Sequence, residues 1–157
     1  MAYREFESAQ SLLREQQAAQ RLSAHWHGRI VPAEQYESFD RRLLNDDGTT
    51  AALVEIKWRN YPIEFMVDHG YLLSMSKVKS LRAQAKQRRC VPLVMVVLSD
   101  ADFLLDLRDE TSQSVRRLPM NDRYYDERTG ETLMRDEWLI CFSVGRFIPI
   151  VALPSLL

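Results

Sequence analysis

The stretch Ala51-Ala52-Leu53-Val54-Glu55-Ile56-Lys57-Trp58 decides how the rest of the chain is read. Val54, Ile56 and Trp58 fall on one side of a period-two pattern; Leu53, Glu55 and Lys57 fall on the other. Alternation of this kind predicts a half-buried β-strand. Residues i and i+2 of a strand share a face, about 6–7 Å apart. Glu55 and Lys57 are therefore neighbours held by rigid backbone.

An acidic partner lies upstream. Tyr36 to Leu44 reads as a second strand, and Asn45-Asp46-Asp47-Gly48 as a tight turn. Asp-Gly is a strong hairpin signal, because Gly supplies the positive φ that such turns need. With Asp47 and Gly48 as the two central residues, Asp46 faces Thr49 and Asp40 lies opposite Glu55. A slip of two keeps Asp40 on that face, whereas an odd-length loop breaks the alignment.

Two adjacent carboxylates repel unless a cation sits between them. Mg²⁺ suits such a pair, since it takes oxygen ligands and commonly adds substrate phosphate and water. A metal there polarises a phosphoryl oxygen and makes a bound water more acidic. Lys57 on the same face can orient that water and stabilise charge developing on phosphate. These are the parts needed to hydrolyse a phosphodiester.

Asp40, a hairpin, then Glu55-Ile56-Lys57 in an apolar strand resembles the PD-(D/E)XK nucleases, the restriction-endonuclease-like superfamily. The resemblance covers about residues 1 to 108. It implies Asp40 and Glu55 as metal ligands, with the Ile56 carbonyl, and Lys57 as the catalytic lysine. The proline of the family name is absent: Phe39 precedes Asp40. The first helix of that family often carries an acid that reaches the metal, and the matching position here is Glu5, with Glu7 second. The alternative for Glu5 is stabilisation of a helix N-terminus through the dipole. The acid-any-Lys tripeptide at Glu55–Lys57 is the only one in the chain, which has four lysines.

At 157 residues the chain suits a single domain with a real core. A net charge of −1 gives no global attraction to nucleic acid, so any such attraction must be local. Cys90 and Cys141 stand apart without metal spacing, which suits a reducing, cytoplasmic compartment. No signal-peptide pattern opens the sequence, and the apolar tail from Phe147 is too short and proline-interrupted to span a bilayer.

Residues 2 to about 24 read as an amphipathic helix with Phe6, Ala9, Leu12, Leu13, Ala19 and Leu22 as its apolar stripe. His25-Trp26-His27 precedes a turn at Gly28 with no third ligand in view, and reads as structural or surface. Arg29 to Ala33 forms a first strand. Ile63 to Val67 alternates and predicts a short extra strand. A helix capped by Ser74 or Ser76 and running to about Arg89 buries Val78, Leu81 and Ala85. From His69 to Ser99 there is no acid but six Lys or Arg. Lys79, Arg82, Lys86 and Arg89 recur at helical spacing, a stripe suited to following phosphates without reading sequence. The resemblance adds Lys77 or Lys79 as a residue near the site. Pro92 to Leu98 is a continuous apolar run, a strand covered on both faces. Asp100, Asp102, Asp106 and Asp109 follow as an acidic segment. Asp100 can approach a metal, although acids at strand ends are usually turn residues. Beyond residue 111, Arg123 to Asp126, a turn at Thr129-Gly130, Trp138 to Val144 and Phe147 to Ala152 read as strands and a turn, without a motif.

The expectation is an α/β (α+β) domain with a mixed central sheet flanked by helices. Helix, three-strand meander, helix and buried strand form its core, as in the restriction-endonuclease-like fold, over about 1–108. A β-rich extension over about 109–157 follows. The function expected is a Mg²⁺- or Mn²⁺-dependent nuclease acting on DNA, with RNA left open, no membrane partner, and a homodimer if both strands are cut. The alternatives are a catalytically inactive nuclease-like module that binds nucleic acid or protein, or an assembly component using the apolar tail.

Overall fold

The computed structural model describes residues 9–34, 37–108, 113–126 and 128–150. The chain runs α1 (Ala9–Ser23), β1 (Ile30–Pro32), β2 (Arg41–Leu44), β3 (Thr50–Trp58), α2 (Ile63–His69), β4 (Tyr71–Ser74), α3 (Met75–Gln87), β5 (Val91–Val97), β6 (Asp102–Asp106), β7 (Gln113–Asp126), β8 (Glu131–Phe142), a 3-10 turn (Val144–Arg146) and β9 (Phe147–Ile150). Two sheets form: a six-stranded one ordered β1-β2-β3-β5-β6-β9 and a three-stranded one ordered β4-β8-β7. β3 and β5 pair in parallel and the rest of the larger sheet is antiparallel. The protein thus has a mixed α/β fold with a mixed central sheet.

The period-two pattern of β3 divides its side chains between two apolar layers. Val54, with Leu43, Ala52, Met95 and Val97, meets Ala18 and Leu22 of α1. Leu53, with Val94 and Val96, meets Val78, Leu81 and Ala85 of α3, together with Tyr71, Leu73, Ile140 and Phe142 of the smaller sheet. β5 is apolar throughout because both of its faces are covered. Among the described residues no helix is long and apolar enough to cross a membrane.

The hairpin between β2 and β3 departs from a two-residue turn. Asn45 N–H donates to Thr49 O at 2.8 Å and Gly48 N–H to Asn45 O at 2.9 Å, with Gly48 at φ 85°. The loop proper is therefore Asp46, Asp47 and Gly48, an odd number. Asp47 Oδ1 accepts the Thr49 N–H at 2.9 Å and its hydroxyl at 2.6 Å, which favours this longer turn. Yet Asp40 is not displaced. Leu44 pairs with Thr50, but Leu43 pairs with Ala52 and Arg41 with Val54. Ala51 is an extra residue in β3, a bulge that shifts the register by one. It cancels the odd loop and keeps Arg41 opposite Val54, the residue before Glu55.

Several elements differ from the sequence expectation. α1 packs through Ala18 and Leu22, while Leu12 and Leu13 are exposed, so its buried face is rotated away from the predicted stripe. β2 begins at Arg41, not at Tyr36, which lies outside the described residues. Ile63–Val67 is helical. Pro62 precedes it at φ −80°, Asp100 Oδ1 accepts the Ile63 N–H at 3.0 Å, and Gly70 at φ 72° closes it. Three alternating apolar residues are too few to outweigh those terminal signals. Asp100 is thus a turn and capping group. Asp102–Asp106 is a full strand antiparallel to β5. The predicted C-terminal extension is woven in: β8 pairs with β4, and β9 pairs with β6 at the edge of the larger sheet. The predicted end of that last strand, at 151–152, lies outside the described residues.

Gly28 sits where β2 closes on the loop after α1. A Cβ there would fall 1.8 Å from Leu44 O and 2.9 Å from Trp26 Nε1. The Trp26 indole N–H donates to that same carbonyl at 2.9 Å. Gly28→Ala is expected to lower stability by about 2 kcal/mol or more, through overpacking and loss of this hydrogen bond. A urea titration checks this, and an unshifted midpoint would contradict the close approach.

Candidate functional site

β3 carries Glu55 and Lys57 on the face turned toward α3. Glu55 is buried, 9 % exposed. Its Oε1 lies 2.9 Å from Lys57 Nζ and 3.6 Å from Lys77 Nζ, the latter reaching down from the first turn of α3. Of the two helix residues considered for this position, Lys77 is the one at the site. Lys79 is exposed on the helix exterior. Ser38, Glu55, Lys57 and Lys77 border a small cleft, open to solvent, whose lining also includes the apolar Leu73 and Val94.

Asp40 stands one residue before β2. Its N–H donates to Val54 O at 2.9 Å, and its Oδ2 accepts the Ile56 N–H at 2.7 Å. β2 has ended at this level, so the side chain takes the place of a strand partner for Ile56. N–H and C=O of one strand residue point to the same side. Arg59 N–H turns the other way, to Val97 O at 2.9 Å. The Ile56 carbonyl is therefore on the same side of β3 as Asp40.

Burial pushes the Asp40 carboxyl up to about 7 from its ordinary value of 3.8, and the Glu55 charge adds to this. The Ile56 N–H opposes the rise, Glu15 contributes to it, and Lys57 opposes it. Asp40 is thus held among acids with less counter-charge than Glu55 has.

Glu15 is the residue that sequence reasoning missed. It lies on the buried side of α1 and accepts from Arg41 Nη1. The same nitrogen donates to Asp40 O at 2.9 Å. Arg41 is itself buried. Glu15, Ala18 and Leu22 are spaced by three and four, so the helical wheel contains this face, but Leu12 and Leu13 drew the reading away from it. Glu5 and Glu7 lie outside the described residues.

The remaining basic residues are not one free surface. Arg82 Nε donates to Leu107 O at 2.7 Å, which ties it into the fold. Lys86 and Arg89 are exposed, Arg89 just past the end of α3 at φ 54°. Arg88, between them and the sheet, pairs with Glu37 at 3.3 Å and lies 5.1 Å from the Phe39 ring centre. His25 and His27 are exposed, as expected of surface residues.

Among the described residues no three His, Cys, Asp or Glu side chains lie at metal-holding spacing. The residues that the resemblance assigns to a metal, Asp40, Glu55 and the Ile56 carbonyl, are hard oxygens of the kind Mg²⁺ and Mn²⁺ take, and here Asp40 accepts from Ile56 N–H and Glu55 is paired with Lys57 and Lys77. The raised Asp40 carboxyl fits such an ion, because a nearby cation favours its charged form. The chain matches no family model and no curated protein.

The folded-state value of Asp40 lies above 3.8, so between about pH 3.8 and 7 the folded protein keeps a proton that the unfolded chain loses. Stability from this group therefore falls as pH rises through that window. Asp40→Asn is expected to be more stable than wild type at pH 8 and equal to it near pH 4. Thermal midpoints across that range test this, and a variant less stable at pH 8 would contradict it.

Proposed function

We propose that the chain is a metal-dependent nuclease hydrolysing phosphodiester bonds in DNA, a member of the PD-(D/E)XK group in function as well as in motif. The observation that carries this reading is the meeting of Asp40, the Ile56 main chain, Glu55 and Lys57 at the open end of β3. Asp40, Glu55 and the Ile56 carbonyl would hold Mg²⁺ or Mn²⁺. When bound, the ion supplies Lewis-acid polarisation and a more acidic water. Lys57, 28 % exposed at the cleft, places its ammonium where it can donate to a phosphoryl oxygen and offset charge gained there. Lys77 adds a second positive charge on the same side. The exposed Lys79, Lys86 and Arg89 supply phosphate contacts along the outer face of α3. RNA presents the same phosphodiester, and cutting both strands of a duplex with one site calls for two copies.

A second reading is a nuclease-like module that binds nucleic acid or protein without cutting. It is favoured by one observation: Glu55 is already paired with Lys57 and Lys77. Such a site is electrically balanced on that side without an ion.

Plasmid DNA incubated with Mn²⁺ or Mg²⁺ separates the two. Cleavage by wild type, abolished by EDTA, is expected to fall by about 10²–10⁴-fold in Lys57→Met and in Glu55→Gln, the scale of lost electrostatic or proton-transfer assistance. At pH 8 the metal is expected to raise the thermal midpoint of wild type and not that of Asp40→Asn. Tight DNA binding with no cleavage in either metal would overturn the enzyme reading in favour of the module.

A further inference from the structure

α1 lies on the sheet with little apolar burial. Of its fifteen residues, Ala18 and Leu22 alone are buried. Charged side chains supply further ties. Arg14 meets the Trp58 ring, Arg21 Nε lies 2.5 Å from Asp102 Oδ2, and Glu15 accepts from Arg41. The last pair is the enclosed one, its side chains 10 % exposed on Arg41 and 13 % on Glu15.

An enclosed ion pair returns little net stability, because taking both charges out of water costs about what their attraction gives back. Two apolar residues would join α1 to β2 as well. What an apolar pair could not do is reach a carbonyl. The nitrogen of Arg41 that meets Glu15 also donates to Asp40 O at 2.9 Å. The Asp40 peptide is otherwise held by main chain alone: its N–H donates to Val54 O at 2.9 Å, and its carbonyl accepts the Ala33 N–H at 3.0 Å. Those contacts fix the path of the chain. Arg41 adds the one hydrogen bond here whose far end is anchored on a helix. The Asp40 carboxylate is carried by that peptide, and it meets the Ile56 N–H at 2.7 Å. A displacement of about 1 Å is enough to lose such a hydrogen bond, and in an active site to cost on the order of 10²-fold in rate.

We propose that Glu15 and Arg41 are positioning residues for Asp40. Glu15, fixed on α1, aims the Arg41 guanidinium at the Asp40 carbonyl, and the peptide so held keeps the carboxylate against Ile56 N–H. This deepens the nuclease reading and rests on it only for what the placed carboxylate does. Glu15 acts through Arg41 and not on an ion or substrate of its own. α1 is then part of the site's framework and not merely a cover for the sheet.

The test follows amide hydrogen exchange in the ¹⁵N-labelled chain by NMR, with the β5 amides as the reference for global opening. In Glu15→Gln and in Arg41→Gln the Ile56 amide is expected to exchange about tenfold faster relative to that reference, the scale of one weakened hydrogen bond. The double variant is expected to match the single ones, because both act through one contact. Arg41→Lys is expected to recover part of the protection. Mn²⁺ affinity, read by calorimetry, is expected to fall about tenfold in each single variant and no further in the double. Glu15→Gln keeps the side-chain shape and carries the test alone if Arg41→Gln does not fold. Ile56 exchange that stays level with the β5 amides in Glu15→Gln overturns the proposal. So does a loss of Mn²⁺ affinity that adds up in the double variant, which would make Glu15 act on the ion directly. Plasmid cleavage at the wild-type rate in Glu15→Gln also overturns it while the nuclease reading stands. Faster Ile56 exchange in the variants, in a chain whose wild type neither binds Mn²⁺ nor cleaves, supports the positioning pair and removes the nuclease reading.

Discussion

The hydrogen bond from Ile56 N–H to Asp40 Oδ2 is the contact on which the site depends. β3 is paired with β5 from Ala52 to its end at Trp58, but on the other side β2 stops at Arg41. The last turn of the β3 ladder would otherwise present bare main-chain groups at a half-buried edge, which is costly. Asp40 satisfies one of them and is thereby fixed beside Glu55. A carboxylate positioned by a peptide N–H cannot drift from the strand that carries the lysine. One side chain both ends the ladder on this side and places a carboxylate beside Glu55.

That arrangement is held from both sides. Below the sheet, Arg41 links Glu15 of α1 to the Asp40 carbonyl, and Arg14 of the same helix lies 4.8 Å from the Trp58 ring centre. Above it, Lys77 ties α3 to Glu55. Each helix therefore contributes one charged group to the neighbourhood of the carboxylates, and each opposes or reinforces their repulsion. The electrostatic strain is concentrated on Asp40, whose proton is retained near neutrality, while Glu55 is balanced by two ammonium groups. Sites of this sort trade stability for a poised charge.

Much of the central sheet was legible in the residues. β3 and β5 show the two limiting strand patterns, alternation and a continuous apolar run, and each predicts its own degree of covering. Val78, Leu81 and Ala85 gave the buried side of α3 correctly, because no competing apolar residues lie on its other faces. α1 was harder. Leu12 and Leu13 imitate a core stripe yet face outward, and Glu15, spaced by three and four from Ala18 and Leu22, went unread beside them. Ile63, Phe65 and Val67 imitate a strand over a span too short to discriminate, and Pro62, Asp100 and Gly70 decide the outcome instead. β4 and the pairing of β8 and β9 depend on contacts between residues about 40 to 70 positions apart. No local pattern reports those.

The unpaired Ala51 has a consequence for how this hairpin tolerates change in length. An odd loop and a one-residue bulge each invert which face the incoming strand presents, and together they leave it unaltered. Loss of a residue from either one alone would turn the aspartate's strand inside out. Loss from both would restore the orientation with a shorter loop. Single-residue insertions and deletions in this region are thus mutually compensatory, and chains that differ by two residues here can share one arrangement of acids while intermediates that differ by one cannot.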